Sequence, residues 1–134
     1  MFKIEPVQDK EKQKELCGLF GCEFAEDFFS YYMYDMKSGK PMGFSQFEIN
    51  GNSGFIKDLT ELPEDNDVEA MFILGRQTMN FINACGGIEC YAADNGNDPR
   101  LLHAIGFRKN DDGEWRATLE GMFDGNCDGH EVKL

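Results

Sequence analysis

The sequence predicts an α+β domain built on a mixed β-sheet flanked by helices. Three observations carry this. The spacing of apolar residues switches from threes and fours to alternation and back again along the chain. Three aromatic-rich runs in the middle are separated by KSGK and NGNS, breaks of the kind that tight hairpins use. A length of 134 residues, 41% of them hydrophobic and 12 of them phenylalanine, suffices for one buried core.

Taken in order, the short apolar start from Phe2 to Val7 reads as a strand. Gln8 to Phe20 is rich in Lys, Glu and Gln, with Leu16, Leu19 and Phe20 on one helical face, and Gly18 or Gly21 can end it. CEFAEDFFS, residues 22–30, fits a second short helix or a loop equally well. YYMYDM, PMGFSQFEI and GFIKDLTEL read as three successive strands, and Gly43 inside the second marks a bulge or a close backbone approach. Asp67 to Cys85 returns to helical spacing through Val68, Met71, Phe72, Met79 and Ile82, and Gly86-Gly87 stops it. IECYAA reads as a buried strand, and PRLLHAIG as a short helix opened by Pro99. FRK and WRATLEGMF read as a last strand pair around the turn NDDGE. Residues 1–123 are expected to form one domain and residues 124–134 a polar tail.

The net charge of -12, from 25 acids against 13 Lys and Arg, offers no basic stripe for a phosphate backbone, which argues against nucleic acid as a partner. An acidic surface confers solubility and is compatible with a cationic partner such as an amine. No apolar run approaches the roughly 20 residues of a membrane span. The opening MFKIEPVQDKEKQKE turns polar too soon for a signal peptide, so a cytoplasmic protein with reduced thiols is expected. The five cysteines, including Cys17-x4-Cys22 and Cys85-x4-Cys90, show no CxxC pattern. No metal is expected. D-x-N-x-D-G at Asp124 to Gly129 matches only the first half of a calcium loop, and Cys127 with His130 supplies two ligands where a closed zinc site needs four.

The stretch LPEDNDVEAMFILGR, Leu62 to Arg76, places Glu64, Asp65, Asp67 and Glu69 at the start of the long helix. These acids read either as a binding site or as a helix start, with Asn66 as N-cap and Glu69 three residues on as in a capping box. Acids in the first turn complement the helix dipole by roughly 0.3–1 kcal/mol apiece.

The element order, together with LLHAIGFRKNDDGEW, resembles the GCN5-related N-acetyltransferase (GNAT) superfamily. GKPMGFSQFEI, Gly39 to Ile49, is similar to the hairpin of that family's second and third strands, and Asn95, Leu102 and Gly106-Phe107 fall on the frame N-x6-Y-x-x-x-G-F, with Leu102 at the Tyr position. The resemblance implies a partly splayed mixed sheet with acetyl-CoA in the opening between two parallel strands. It also implies an acyl group passed to a small-molecule or peptide amine. Homodimers are compatible with it. On that reading Leu59, Thr60, Arg76 and Asn95 contact the cofactor. Asp58 or Glu61 serves as general base, Glu48 being a third choice, and His103 is a candidate acid. The family's acid is a Tyr at the position that Leu102 occupies here, and leucine has no proton to give.

One departure is larger. The family's pyrophosphate loop reads Q/R-x-x-G-x-G/A, because unpaired N–H groups at a helix N-terminus and small residues let a phosphate approach the backbone. The corresponding TELPEDNDVEAMF has no glycine between Ile56 and Leu74, and it carries Glu61, Glu64, Asp65, Asp67 and Glu69 where the polyanion would dock. The sequence therefore supports two functions, an acetyl-CoA-dependent N-acyltransferase and a catalytically degenerate relative acting as a ligand-sensing or protein-interaction module.

Overall fold

In the computed structural model, which describes residues 1–123, the chain forms ten elements. They are β1 (Phe2–Pro6), α1 (Lys10–Phe20), β2 (Phe29–Asp35), β3 (Pro41–Asn50), β4 (Ser53–Thr60), α2 (Val68–Ala84), β5 (Glu89–Ala92), α3 (Pro99–Ile105), β6 (Arg108–Lys109) and β7 (Trp115–Thr118). The strands make one seven-stranded sheet in the order β1-β2-β3-β4-β5-β7-β6. β1 to β4 pair antiparallel, β4 and β5 pair parallel, and β7 pairs antiparallel with both β5 and β6. A parallel pair needs a crossover, and α2 is that crossover.

Helix ends follow their caps. The Asp9 side chain accepts from the Glu11 N–H at 3.0 Å, and α1 ends at Gly21, whose φ of 76° suits glycine. Gly18 lies inside the helix. Residues 22–28 form a loop, not a second helix, and Phe29 and Ser30 already belong to β2. α2 starts one residue later than the Asn66 cap would place it. Its N-cap is Asp67, which accepts from the Ala70 N–H at 3.0 Å.

β3 divides the two layers. Its Phe44 packs beneath Leu16, Cys17 and Phe20 of α1, whereas Phe47 joins the main core with Leu74, Met79 and Ile82 of α2. On the α2 side, Ser45 Oγ lies 3.1 Å from Thr78 Oγ1. Thr78 already donates to the Leu74 carbonyl at 2.9 Å, so Ser45 is the donor of that pair. Gly43 fulfils both of its readings. A Cβ there would lie 2.8 Å from Met33 Cε and 2.9 Å from Leu74 Cδ2, and the β2–β3 register shifts between Met33 and Tyr34.

On the α1 side the buried polar residue is Gln46. Its Oε1 accepts from Gln13 Nε2 at 2.9 Å and from the Ala25 N–H at 3.0 Å. Its Nε2 donates to the Glu23 carbonyl at 3.0 Å and to Asp58 Oδ2 at 2.8 Å. One amide thereby satisfies α1, the 22–28 loop and β4 together. Replacing Gln46 with leucine orphans several of these groups at about 1–3 kcal/mol each. A urea titration of Gln46→Leu is expected to show a loss of at least about 3 kcal/mol.

The thiols of Cys17, Cys22 and Cys90 are pushed up to about 11, about 12 and about 12, chiefly by burial, with the Asp58 carboxylate adding to the first two. Brief iodoacetamide treatment of the native protein at pH 8 is expected to label exposed Cys85 well before these three, as read by peptide mass spectrometry. Unfolding lets the three thiols ionise near the ordinary value, so the unfolded state then binds fewer protons than the folded one. Their contribution to stability is whole below the ordinary thiol pKa and is lost as pH rises through 11 to 12. The denaturation midpoint is expected to fall across that range.

Candidate functional site

The site begins with an extra residue in β4. Gln46 opposes Asp58 and Phe47 opposes Ile56, so Lys57 is bulged out of the β3–β4 ladder. On its other edge β4 pairs with β5 only from Ser53↔Glu89 to Ile56↔Ala92, closed by the Ala93 N–H bonded to the Ile56 carbonyl at 2.9 Å. β5 then stops while β4 runs on to Thr60, and the two strands part.

Parting leaves backbone groups on the open edge of β4, and Asn97 takes them. Its Oδ1 accepts from the Leu59 N–H at 2.9 Å, and its Nδ2 donates to the carbonyls of Lys57 at 3.2 Å and Ala93 at 2.8 Å. Asn97 is buried at 8% exposure, as three hydrogen bonds to main chain require. Asn95, which the resemblance makes a cofactor contact, is exposed in the preceding turn. The loop that carries both is anchored by Asp94, which accepts from the Trp115 indole N–H at 2.9 Å. That bond, with Lys109 alongside, holds the Asp94 carboxyl below the usual carboxylate range.

Beyond Asn97 lies a cleft of about 530 Å³ between the end of β4, the start of α2 and α3. Leu59, Thr60 and Glu61 line it, and Leu62, Val68, Met71, Leu101 and Ala104 give it apolar walls. Glu61, Asp65 and Asp98 bring three carboxylates to its lining against the guanidinium of Arg100. Lys40 pairs with Asp65 at 3.2 Å.

The start of α2 has two of its N–H groups taken by side chains. Asp67 Oδ1 takes the Ala70 N–H, Glu61 Oε1 takes the Asp67 N–H at 3.1 Å, and the Asp67 carbonyl takes the Met71 N–H at 3.0 Å. The chain's own carboxylates thus stand where a phosphate would meet the helix N-terminus.

The remaining candidates are dispersed. Asp58 points to the α1 face, where Oδ2 accepts from Gln46 and from Lys57 Nζ at 3.0 Å, so its carboxylate is already engaged away from the cleft. Arg76 donates to the Ile105 carbonyl at 2.7 Å and stacks over Phe72 at 5.0 Å, tying α2 to α3 and leaving it off the cleft lining. Leu102 is fully buried, and His103 is exposed on α3 with no place in the lining. One step along a helix turns a side chain by about 100°, which separates the two. Glu48 lines a different cavity, with Phe55 and Tyr91. Among the described residues no three His, Cys, Asp or Glu side chains converge as metal ligands, and no helix is long and apolar enough to cross a membrane. Cys127, His130 and the Asp124–Gly129 motif lie outside the described residues.

Solved acetyltransferases share this architecture. A ribosomal-protein-S18-alanine N-acetyltransferase from Escherichia coli superposes with a TM-score of 0.68 at 11% identity, covering 89% of this chain and 94% of that one. The NatC complex bound to Gag peptide and CoA gives 0.67 at 13% identity, covering 87% and 98%. A PaiA N-acetyltransferase from Thermoplasma acidophilum in complex with coenzyme A gives 0.64 at 13% identity, covering 87% and 99%. No family sequence model matches the chain, and neither does any curated protein sequence. The likeness establishes the fold.

Two substitutions separate Asn97 from its neighbour. Asn97→Ala orphans the Leu59 N–H and the Lys57 carbonyl, and denaturant unfolding is expected to show a loss of about 2 kcal/mol or more. Asn95→Ala is expected to stay within about 0.5 kcal/mol of the parent. Asp67→Ala removes the cap of α2, and the same titration should register a loss of about 1 kcal/mol.

Proposed function

Taking the GNAT fold as premise, we propose that this chain is a binding module in which the acetyl-CoA site has been given over to the protein's own side chains. The observation that carries the reading is the partly occupied start of α2, where Asp67 and Glu61 accept two of the N–H groups open to a pyrophosphate. A CoA pyrophosphate would have to displace both carboxylates and settle beside Asp65 and Asp98. Each like charge costs on the order of 1 kcal/mol near the surface, so several together offset what the helix N-terminus supplies. Asn97 adds to this by occupying the edge of β4 at Leu59. What the cleft offers is apolar wall with carboxylates around it, which suits a small molecule or peptide terminus bearing a protonated amine.

The second reading is an N-acetyltransferase that passes the acetyl group to an amine. The bulge at Lys57 and the parted strands favour it, since together they leave an open cleft beside the crossover helix. In that case Glu61 is the carboxylate on the cleft lining able to take the amine proton.

Calorimetric titration with acetyl-CoA at low and at high salt separates the two. The module reading predicts no binding heat at either ionic strength. Saturable binding at low salt overturns it in favour of the enzyme. Binding confined to high salt also overturns it, and assigns the weak affinity to screened repulsion from the acidic loop.

A further inference from the structure

At the far end of α2, roughly 20 Å along the helix from the cleft, the sheet carries a second cavity of about 620 Å³. It lies where α2 leaves β1 and β2, and its floor is aromatic. Phe29, Tyr31, Phe47 and Phe81 pack with ring centroids 5.8 to 6.0 Å apart, alternating stacked, tilted and edge-on contacts. Phe29 keeps 48% of its surface in water at the edge of this group, although a fifth ring placed on it would bury that surface. Gln8, Lys10, Ser30 and Gln77, with the Tyr31 hydroxyl, form the polar part of the lining.

The charge around this cavity is its second distinctive feature. In a chain with 25 acids, no carboxylate among the described residues lines it, whereas each of the four other cavities described has at least three. Its ionic group is Lys10, whose Nζ donates to the Phe28 carbonyl at 2.6 Å and to Gln13 Oε1 at 3.0 Å. An ammonium has three donors, so Lys10 is held in place by two and has one more to give. Burial pushes the Tyr31 hydroxyl up, so it remains a neutral donor at the same wall.

We propose that this cavity binds a flat aromatic molecule carrying a carboxylate, its rings against Phe29, Phe47 and Phe81 and its charge toward Lys10. Volume, aromatic floor and a few polar groups at one side are what a small-molecule pocket needs. The exclusion of acids selects against the cations that the rest of the surface attracts, and the cation at the mouth selects for an anion. The proposal is independent of the reading given to the cleft, because the two sites share no lining residue.

The test is titration of the full chain with 2-naphthoate, followed by amide NMR shifts, beside the cation 2-naphthylmethylamine as control. Saturable shifts at Phe29, Tyr31 and Phe81, with the carboxylate at least tenfold tighter than the amine, are expected. Phe29→Ala trims a half-exposed ring, leaves the fold intact and should weaken 2-naphthoate at least tenfold. Lys10→Gln should remove most of the preference for the carboxylate. Absence of saturable shifts, equal binding of the two probes, or unchanged affinity in Phe29→Ala overturns the proposal. A sedimentation result in which a second copy of the chain covers Phe29 also overturns it.

Discussion

Everything at the centre of this fold depends on β4 satisfying two neighbours that disagree. Against β3 it runs its whole length, but with Lys57 bulged out of the ladder. Against β5 it pairs over four residues and is then left alone. Backbone groups on an open strand edge must find partners when they are buried, and here one side chain supplies them: Asn97 closes the gap with three bonds to the main chain. On the opposite face the same strand is held by Gln46 through Asp58. Two buried amides, one on each side of the bulge, fix the geometry from which the cleft opens.

The cleft has an open form with acids around it. The strands part, the crossover helix starts beside the gap, and apolar walls run inward. At the helix start the Asp67 and Ala70 N–H groups are bonded to Glu61 and Asp67, and Asp65 and Asp98 lie in the cleft lining. Asp67 shows how one residue can do both things at once. As an N-cap it stabilises α2, and by doing so it takes the Ala70 N–H and sets a negative charge where an anion would approach. The aromatic cavity at the other end of α2 has the opposite polarity, with no acid among the described residues and with Lys10 in its lining.

The sequence was legible wherever structure is local. The order of elements, the Gly21 and Gly86-Gly87 stops, Pro99 at the start of α3 and the close approach at Gly43 all follow from spacing or from what glycine and proline permit. So did the fold. What stayed hidden depends on partners far away in sequence. Asn95 and Asn97 share one turn-forming run, and only contacts about 40 residues distant, at Lys57 and Leu59, separate the exposed one from the buried one. Asn66 and Asp67 are both good caps, and a one-residue choice between them leaves no mark in composition. The 22–28 segment has apolar residues at helical spacing but forms a loop, because the Gln46 side chain satisfies its backbone at Glu23 and Ala25. Asp58 looked like a free strand carboxylate until Gln46 and Lys57 claimed it.

The central claim is that the protein's own side chains fill the places where a CoA pyrophosphate and pantetheine would bond. Amide hydrogen exchange measured with and without millimolar coenzyme A tests it most directly, at the Asp67, Ala70 and Leu59 N–H groups. The account predicts the same protection in both conditions, because each of these donors is already bonded within the chain. Exchange that slows at all three on adding coenzyme A would contradict it.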